Sequence, residues 1–170
     1  MKIRILFAMT VSLMLLGLTI NSYTELFVLI PGIQGESTEP NHPGWSYGLS
    51  SSWKHAQAPP ESTVKGAQFS PLIITKVAGT TSPALALFAA DARVLKDVLL
   101  EFTHPIINNQ NFVHLRIRLR NARLVSYEAV GSGNGDPAET EVFGLTFTQI
   151  SWTTFRVDET GRPVVASTAC

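Results

Sequence analysis

From Phe112 to Arg120 the chain alternates without a break: Val113, Leu115, Ile117 and Leu119 fall on one side, His114, Arg116, Arg118 and Arg120 on the other. A repeat of two fits an extended strand, whose successive side chains point to opposite faces. A strand with one apolar face must lay it against a second layer, so this stretch alone calls for a sheet with a core behind it.

Other segments carry the same kind of signal. Leu26 to Ile30 is a short run of β-formers stopped by Pro31-Gly32, and residues 35–44 collect the turn formers of a loop. Leu49, Ser51 and Trp53 alternate with Ser50, Ser52 and Lys54, while Ala56 to Gly66, with Pro59-Pro60, reads as a second loop. Phe69 to Val77 resumes as a strand in which Pro71 marks an edge or entry position, because proline cannot donate to a ladder. Val94 to Phe102 and Leu124 to Val130 read as further strands, His104 to Asn111 as a loop, and Glu141 to Trp152 as a long strand that Phe155 to Val157 extends across a bulge or turn. The chain beyond Gly161-Arg162-Pro163 offers little signal.

One helix is expected, near residues 82–92. Ser82 suits its cap, Pro83 its first position, and Leu85, Phe88 and Ala89 fall on one face. About ten residues are too few to hold a helix alone, so it must lie against something. Many short strands with one short helix describe a closed or sandwiched antiparallel β-domain, not a fold that alternates strands with several long helices. A length of 170 residues suits one such domain.

Lys2 and Arg4 precede an uncharged run from Ile5 to Ile20, the layout of a secretory signal or of an uncleaved anchor. The expected organisation is a signal or anchor over 1–24, a β-domain over 25–160 and a C-terminal tail over 161–170. Cys170 is the single cysteine, so no disulfide forms within the chain.

Thirteen basic residues balance thirteen acidic ones, which removes the positive field that a nucleic-acid binder needs. His42, His55, His104 and His114 lack metal-ligand spacing and are expected on the surface or in loops. The Gly-Ser-Gly-Asn-Gly segment at 131–135 lacks the Lys-Ser/Thr ending and following helix of a phosphate cradle, and reads as a flexible loop. Glu36, Glu39, Glu61, Glu139 and Glu141 are expected to be solvated. Ser52 has no nucleophile elbow around it, which weighs against a hydrolase. No cofactor or metal is implied. The row Arg116, Arg118, Arg120 is the feature that stands out: a solvated strand face, or a surface lining a lumen or meeting another subunit.

The order of these pieces resembles the haemolysin-coregulated protein (Hcp) family, the inner tube of type VI secretion systems. Leu26 to Ser37, with Gly35-Glu36-Ser37, then His42, then Leu49-Ser50-Ser51-Ser52-Trp53, is similar to the start of that family. Phe69 to Lys76, Thr81-Ser82-Pro83-Ala84-Leu85, Val113 to Leu119 and Val142 to Ile150 follow in the family's order, with Lys54 where a glycine usually follows Ser-Trp. The resemblance implies an antiparallel β-barrel of two packed sheets with one helix. It also implies a non-enzymatic homo-oligomer: a hexameric ring that stacks into a conduit, holds cargo, and meets the secretion spike, sheath and effectors. Ser52 matches the serine before tryptophan and is a candidate for facing the bore.

Family members usually lack a signal peptide, so the two lines of reading differ on location. The N-terminal run implies a secreted or periplasmic domain touching membrane only through that segment; without a signal, assembly is cytoplasmic. The rival reading is an exported monomeric β-sandwich binding a glycan or protein through Trp45, Tyr47 and the glycine-rich loop.

Overall fold

The computed structural model describes residues 24–57, 67–106, 110–131, 139–160 and 162–170. The expected signal or anchor and most of the glycine-rich loop lie outside the described residues. Eleven strands and one helix run in the order β1 (Glu25–Leu29), β2 (Ser46–Gly48), β3 (Ser50–Ser52), β4 (His55–Gln57), β5 (Ala67–Phe69), β6 (Leu72–Val77), α1 (Ser82–Asp91), β7 (Val94–Ile106), β8 (Gln110–Val130), β9 (Thr140–Thr146), β10 (Gln149–Val157) and β11 (Pro163–Ala169). All strand pairs are antiparallel.

Nine strands join through the order β2-β1-β7-β8-β9-β6-β3, with β10 on β8 and β11 on β10, while β4 and β5 form a separate two-stranded arm. The centre of this arrangement is β8, 21 residues long. Its first half pairs with β7 and β10, and its second half pairs with β9. Two leaves thus share one bent strand. At the bend the inward rows change parity on both partners, since Leu95 and Val98 are buried on β7 and Leu119 and Ala122 on β8. Asn121 takes the corner with φ 48, a left-handed conformation that asparagine tolerates better than most side chains.

Both leaves send apolar side chains into one core: Val28, Val98, Leu100, Ile117 and Leu119 from the first, Leu72, Ile74, Leu124, Phe143 and Leu145 from the second. The ladder path is open, but its two ends are consecutive in the chain. Strand β2 pairs with β1, β3 pairs with β6, and between them the Leu49 N–H donates to the Thr75 carbonyl at 2.7 Å. Residues 46–52 therefore strap one leaf to the other.

Four details differ from what the sequence suggests. The helix begins at Ser82, with Thr81 at the cap position making no side-chain bond; the Ser82 hydroxyl instead accepts from the Gly79 N–H at 2.9 Å. Leu85 and Phe88 are buried as expected, and the helix lies against β8. Residues His104 to Asn111, expected as a loop, mostly lengthen the β7–β8 hairpin, with His104 opposite Phe112 and Ile106 opposite Gln110. A register shift makes His114 an inserted residue, so Val113 pairs with Thr103 and leaves the row of Leu115, Ile117 and Leu119. Finally, the stretch with little signal near the C-terminus is β11, which needs no alternating pattern because it is mostly exposed on both faces.

Candidate functional site

The outer faces of the two leaves differ in chemistry. On the first leaf, ladder register sets Asp97 opposite Arg120, Leu99 opposite Arg118 and Glu101 opposite Arg116 across β7 and β8. Across β10, the same arginines face Gln149, Ser151 and Thr153. The expected arginine row therefore exists on one face, and it is threaded with carboxylates. The Arg118 Nε donates to Asp97 at 2.8 Å, Arg120 Nε lies 3.9 Å from the same carboxylate, and Arg116 Nε donates to Glu101. Arg116 also stands over the Phe155 ring at 5.3 Å. The hydrogen bond from Arg118, with further help from the charges of Arg118, Arg120 and Lys96, holds the Asp97 carboxyl below the usual carboxylate range against the opposing effect of burial.

Beside the row, an open depression of about 500 Å³ is lined by residues including Arg118, Arg120, Gln149, Ser151, Phe69 and Cys170.

Glu101 continues the charge chain inward. The loop between β1 and β2 folds back over this leaf and places His42 flat on Phe27, with ring centroids 4.1 Å apart. His42 Nε2 is 2.7 Å from Glu101, and Nδ1 is 2.6 Å from Glu39. Trp45 meets the imidazole edge-on at 4.9 Å. The two limbs of the loop meet at Gly35, whose N–H donates to the Gly44 carbonyl at 2.7 Å and where a Cβ would sit 2.2 Å from the Trp45 backbone carbon, so no larger residue fits. His42, expected on the surface or in a loop, lies in the loop but is 1% exposed, and Glu39 is its partner instead of a solvated acid. Nothing in the sequence connects His42 to Glu101, 59 residues away.

A second chain of charge closes one end of the core. Lys76 and Glu141 pair at 3.0 Å and are both essentially inaccessible, while Tyr127 donates to the other oxygen of Glu141 at 2.9 Å and Glu36 approaches Lys76 at 3.4 Å. Burial, then the bond to Glu141, raises the Tyr127 hydroxyl above its usual pKa. Glu141 is thus a buried acid, correcting the expectation of a solvated one. The sequence did carry a signal: Lys76 shares parity with Leu72 and Ile74, and Glu141 with Phe143 and Leu145, so alternation aims both inward.

The outer face of the second leaf is small and weakly charged. Ser50 lies in a row with Thr75, Val142 and Glu128, and Ser52 in a row with Ile73, Gly144 and Ser126. Both Ser50 and Ser52 are exposed, whereas Ser51 turns towards the core beside Ile74. Ser52 and the arginine row therefore lie on different leaves. Among the described residues no imidazole is hydrogen-bonded to Ser52, and no group of three or more His, Cys, Asp or Glu side chains could hold a metal. No described helix is long and apolar enough to cross a membrane.

The chain matches the family described as "Type VI secretion system effector, Hcp" over residues 27–154. Among curated proteins none matches. Solved structures with the same fold include one described as a type six secretion system protein, with TM-score 0.72, 20% identity, and coverage of 87% of this chain and 93% of that one. Hcp1 from Salmonella typhimurium gives TM-score 0.68 and 21% identity over 84% of this chain and 91% of that one. A type VI secretion system effector from Yersinia pestis gives 0.65 and 19% over 85% and 98%.

Proposed function

We propose that this chain, which belongs to the Hcp family of type VI secretion system proteins, is a structural subunit of a secretion tube, built as a ring of identical copies. The observation that carries this reading is the extent of the family match, which runs from β1 into β10 and so takes in both leaves, the strap and the helix. A ring of six copies that stack, hold cargo, and meet spike, sheath and effector proteins is the finer form of the reading.

Within it, the two outer faces take different roles. The small face with Ser50, Ser52 and Ser126 lines the bore, where short polar groups let varied cargo pass. The face with Arg116, Arg118 and Arg120 meets neighbouring subunits. The role is structural and not enzymatic, as in the family as a whole. Trp45 and Tyr47, the anchors of the rival binding-module reading, pack against His42 and Phe27.

The N-terminal run from Ile5 to Ile20 makes export the favoured route, with residues 1–24 as signal or anchor and a folded unit that begins at residue 25 and includes β11. The test is light scattering on the purified full chain together with negative-stain microscopy. Rings are expected; a monomer at all concentrations rejects the tube. In rings that form, Ser52→Trp should leave the ring intact and reduce cargo retention, and unchanged retention rejects the bore assignment. Sequencing the N-terminus after cell fractionation decides location, because an intact soluble cytoplasmic chain rejects export.

A further inference from the structure

The charge on this molecule is unevenly spread although its total is zero. On the first leaf one carboxylate, Asp97, faces Arg118, Arg120 and Lys96. Glu101, the nearest other acid on that face, is already engaged by His42 and Arg116. The side chains lining the depression thus include two arginines and no acid, and it opens beside β11, whose far side has no strand partner among the described residues.

The second leaf ends differently. Beyond Arg123, which lies opposite Val94, β8 has β9 on one side and, among the described residues, no ladder on the other through Val130. That edge exposes Val125 and Val130, each 49% accessible, and Glu128, which ends the row of Ser50, Thr75 and Val142 at the rim of the serine-bearing face. Glu139 lies at the same end, beside Gly131, and is also exposed. No ion pair or hydrogen bond holds the carboxylates of Glu128 or Glu139 among the described residues.

A closed ring of identical subunits needs two different patches on each copy, one fitting the other. We propose that the Arg118–Arg120 depression of one copy receives the acidic β8 edge of a second copy, with Glu128 and Glu139 as the contacting charges. This inference rests on the ring reading and adds which surfaces meet and what holds their register. Opposite charges placed so guide approach and exclude like-charged faces, and the exposed Val125 and Val130 supply apolar contact beside them.

The test is a charge swap on the full chain, read by sedimentation velocity. Arg118→Glu with Arg120→Glu should weaken assembly by about tenfold or more, as should Glu128→Lys with Glu139→Lys. The fourfold variant carrying both swaps should assemble like the original, because each copy then offers the exchanged charges to its neighbour. Raising salt should loosen the original ring. Where the Arg→Glu pair fails to give a cooperative melt, Arg118→Gln with Arg120→Gln replaces it. Wild-type-like rings from both swapped variants, or no rescue in the fourfold variant, overturn the proposal while leaving the tube reading intact. A wild-type chain that never leaves the monomer overturns the tube reading itself.

Discussion

At the scale of single residues, the side chains that fix the first leaf's outer face are held by charge that is out of water. Glu101 is 4% exposed and joins His42 from the covering loop to Arg116 from β8. Glu101→Ala leaves the Nε2 of the buried imidazole without its partner and should cost about 2–4 kcal/mol, read as a lower urea midpoint at unchanged slope. A loss under 1 kcal/mol would mean that the clamp contributes little, as exposed pairs do. His114 is a different case. Its ring stacks on His104 at 4.0 Å and its buried Nδ1 has no hydrogen-bond partner among the described residues. Burial, helped by the charge of His104, lowers its pKa below 6.5, so the unfolded chain takes up a proton first as pH falls. Stability is then complete above pH 6.5 and declines below it; His114→Phe should flatten that part of the pH–stability curve, and an unchanged curve counts against the assignment.

At the scale of elements, the strand that matters most is β8, and the sequence shows its first half better than its second. Val113 to Arg120 announces a strand by strict alternation, yet the same pattern breaks at His114, Asn121 and Val125, where the backbone shifts register or turns a corner. Period-2 reading sees a strand on each side of such a break and cannot tell that both are one element. The same limit hid β11, where an exposed strand needs no apolar side. By contrast, helix α1 and the turn at Pro31-Gly32 were legible, because a proline in the first helical turn and turn residues are local signals; the parity that aims Lys76 and Glu141 inward is local too, but Glu141 was expected to be solvated because acidic side chains usually are. The charge chain from Glu39 to Arg116 was not, since its members meet only after the loop has folded over β1. The corner gives a direct check on β8. Asn121→Val forces a β-branched side chain into the left-handed region and should destabilise by about 1–2 kcal/mol, while Asn121→Gly should be close to neutral, both read by thermal melting.

At the scale of the whole molecule, the ladders join residues that are distant in the chain. Phe27 lies opposite Glu101, Ser51 opposite Ile74 and Ile74 opposite Phe143. Loops must close before such contacts reward them, so refolding should fall in the millisecond-to-second range typical of β-sandwiches; a sub-millisecond phase that restores full native signal in stopped-flow fluorescence would contradict it. Two of the joints also decide how the barrel answers a mechanical load. A cylinder cut along its length twists easily, because the lips of the cut slide past each other; pinning the lips restores most of its torsional rigidity. Here the cut runs between β2 and β3, and the pin is the run of seven residues from Ser46 to Ser52, bonded to β1 at one end and to β6 at the other. On the far side β8 serves both leaves without a hinge loop between them. Torque applied to one leaf is therefore passed to the other through backbone on both sides of the cylinder, so the two leaves turn as one rigid piece.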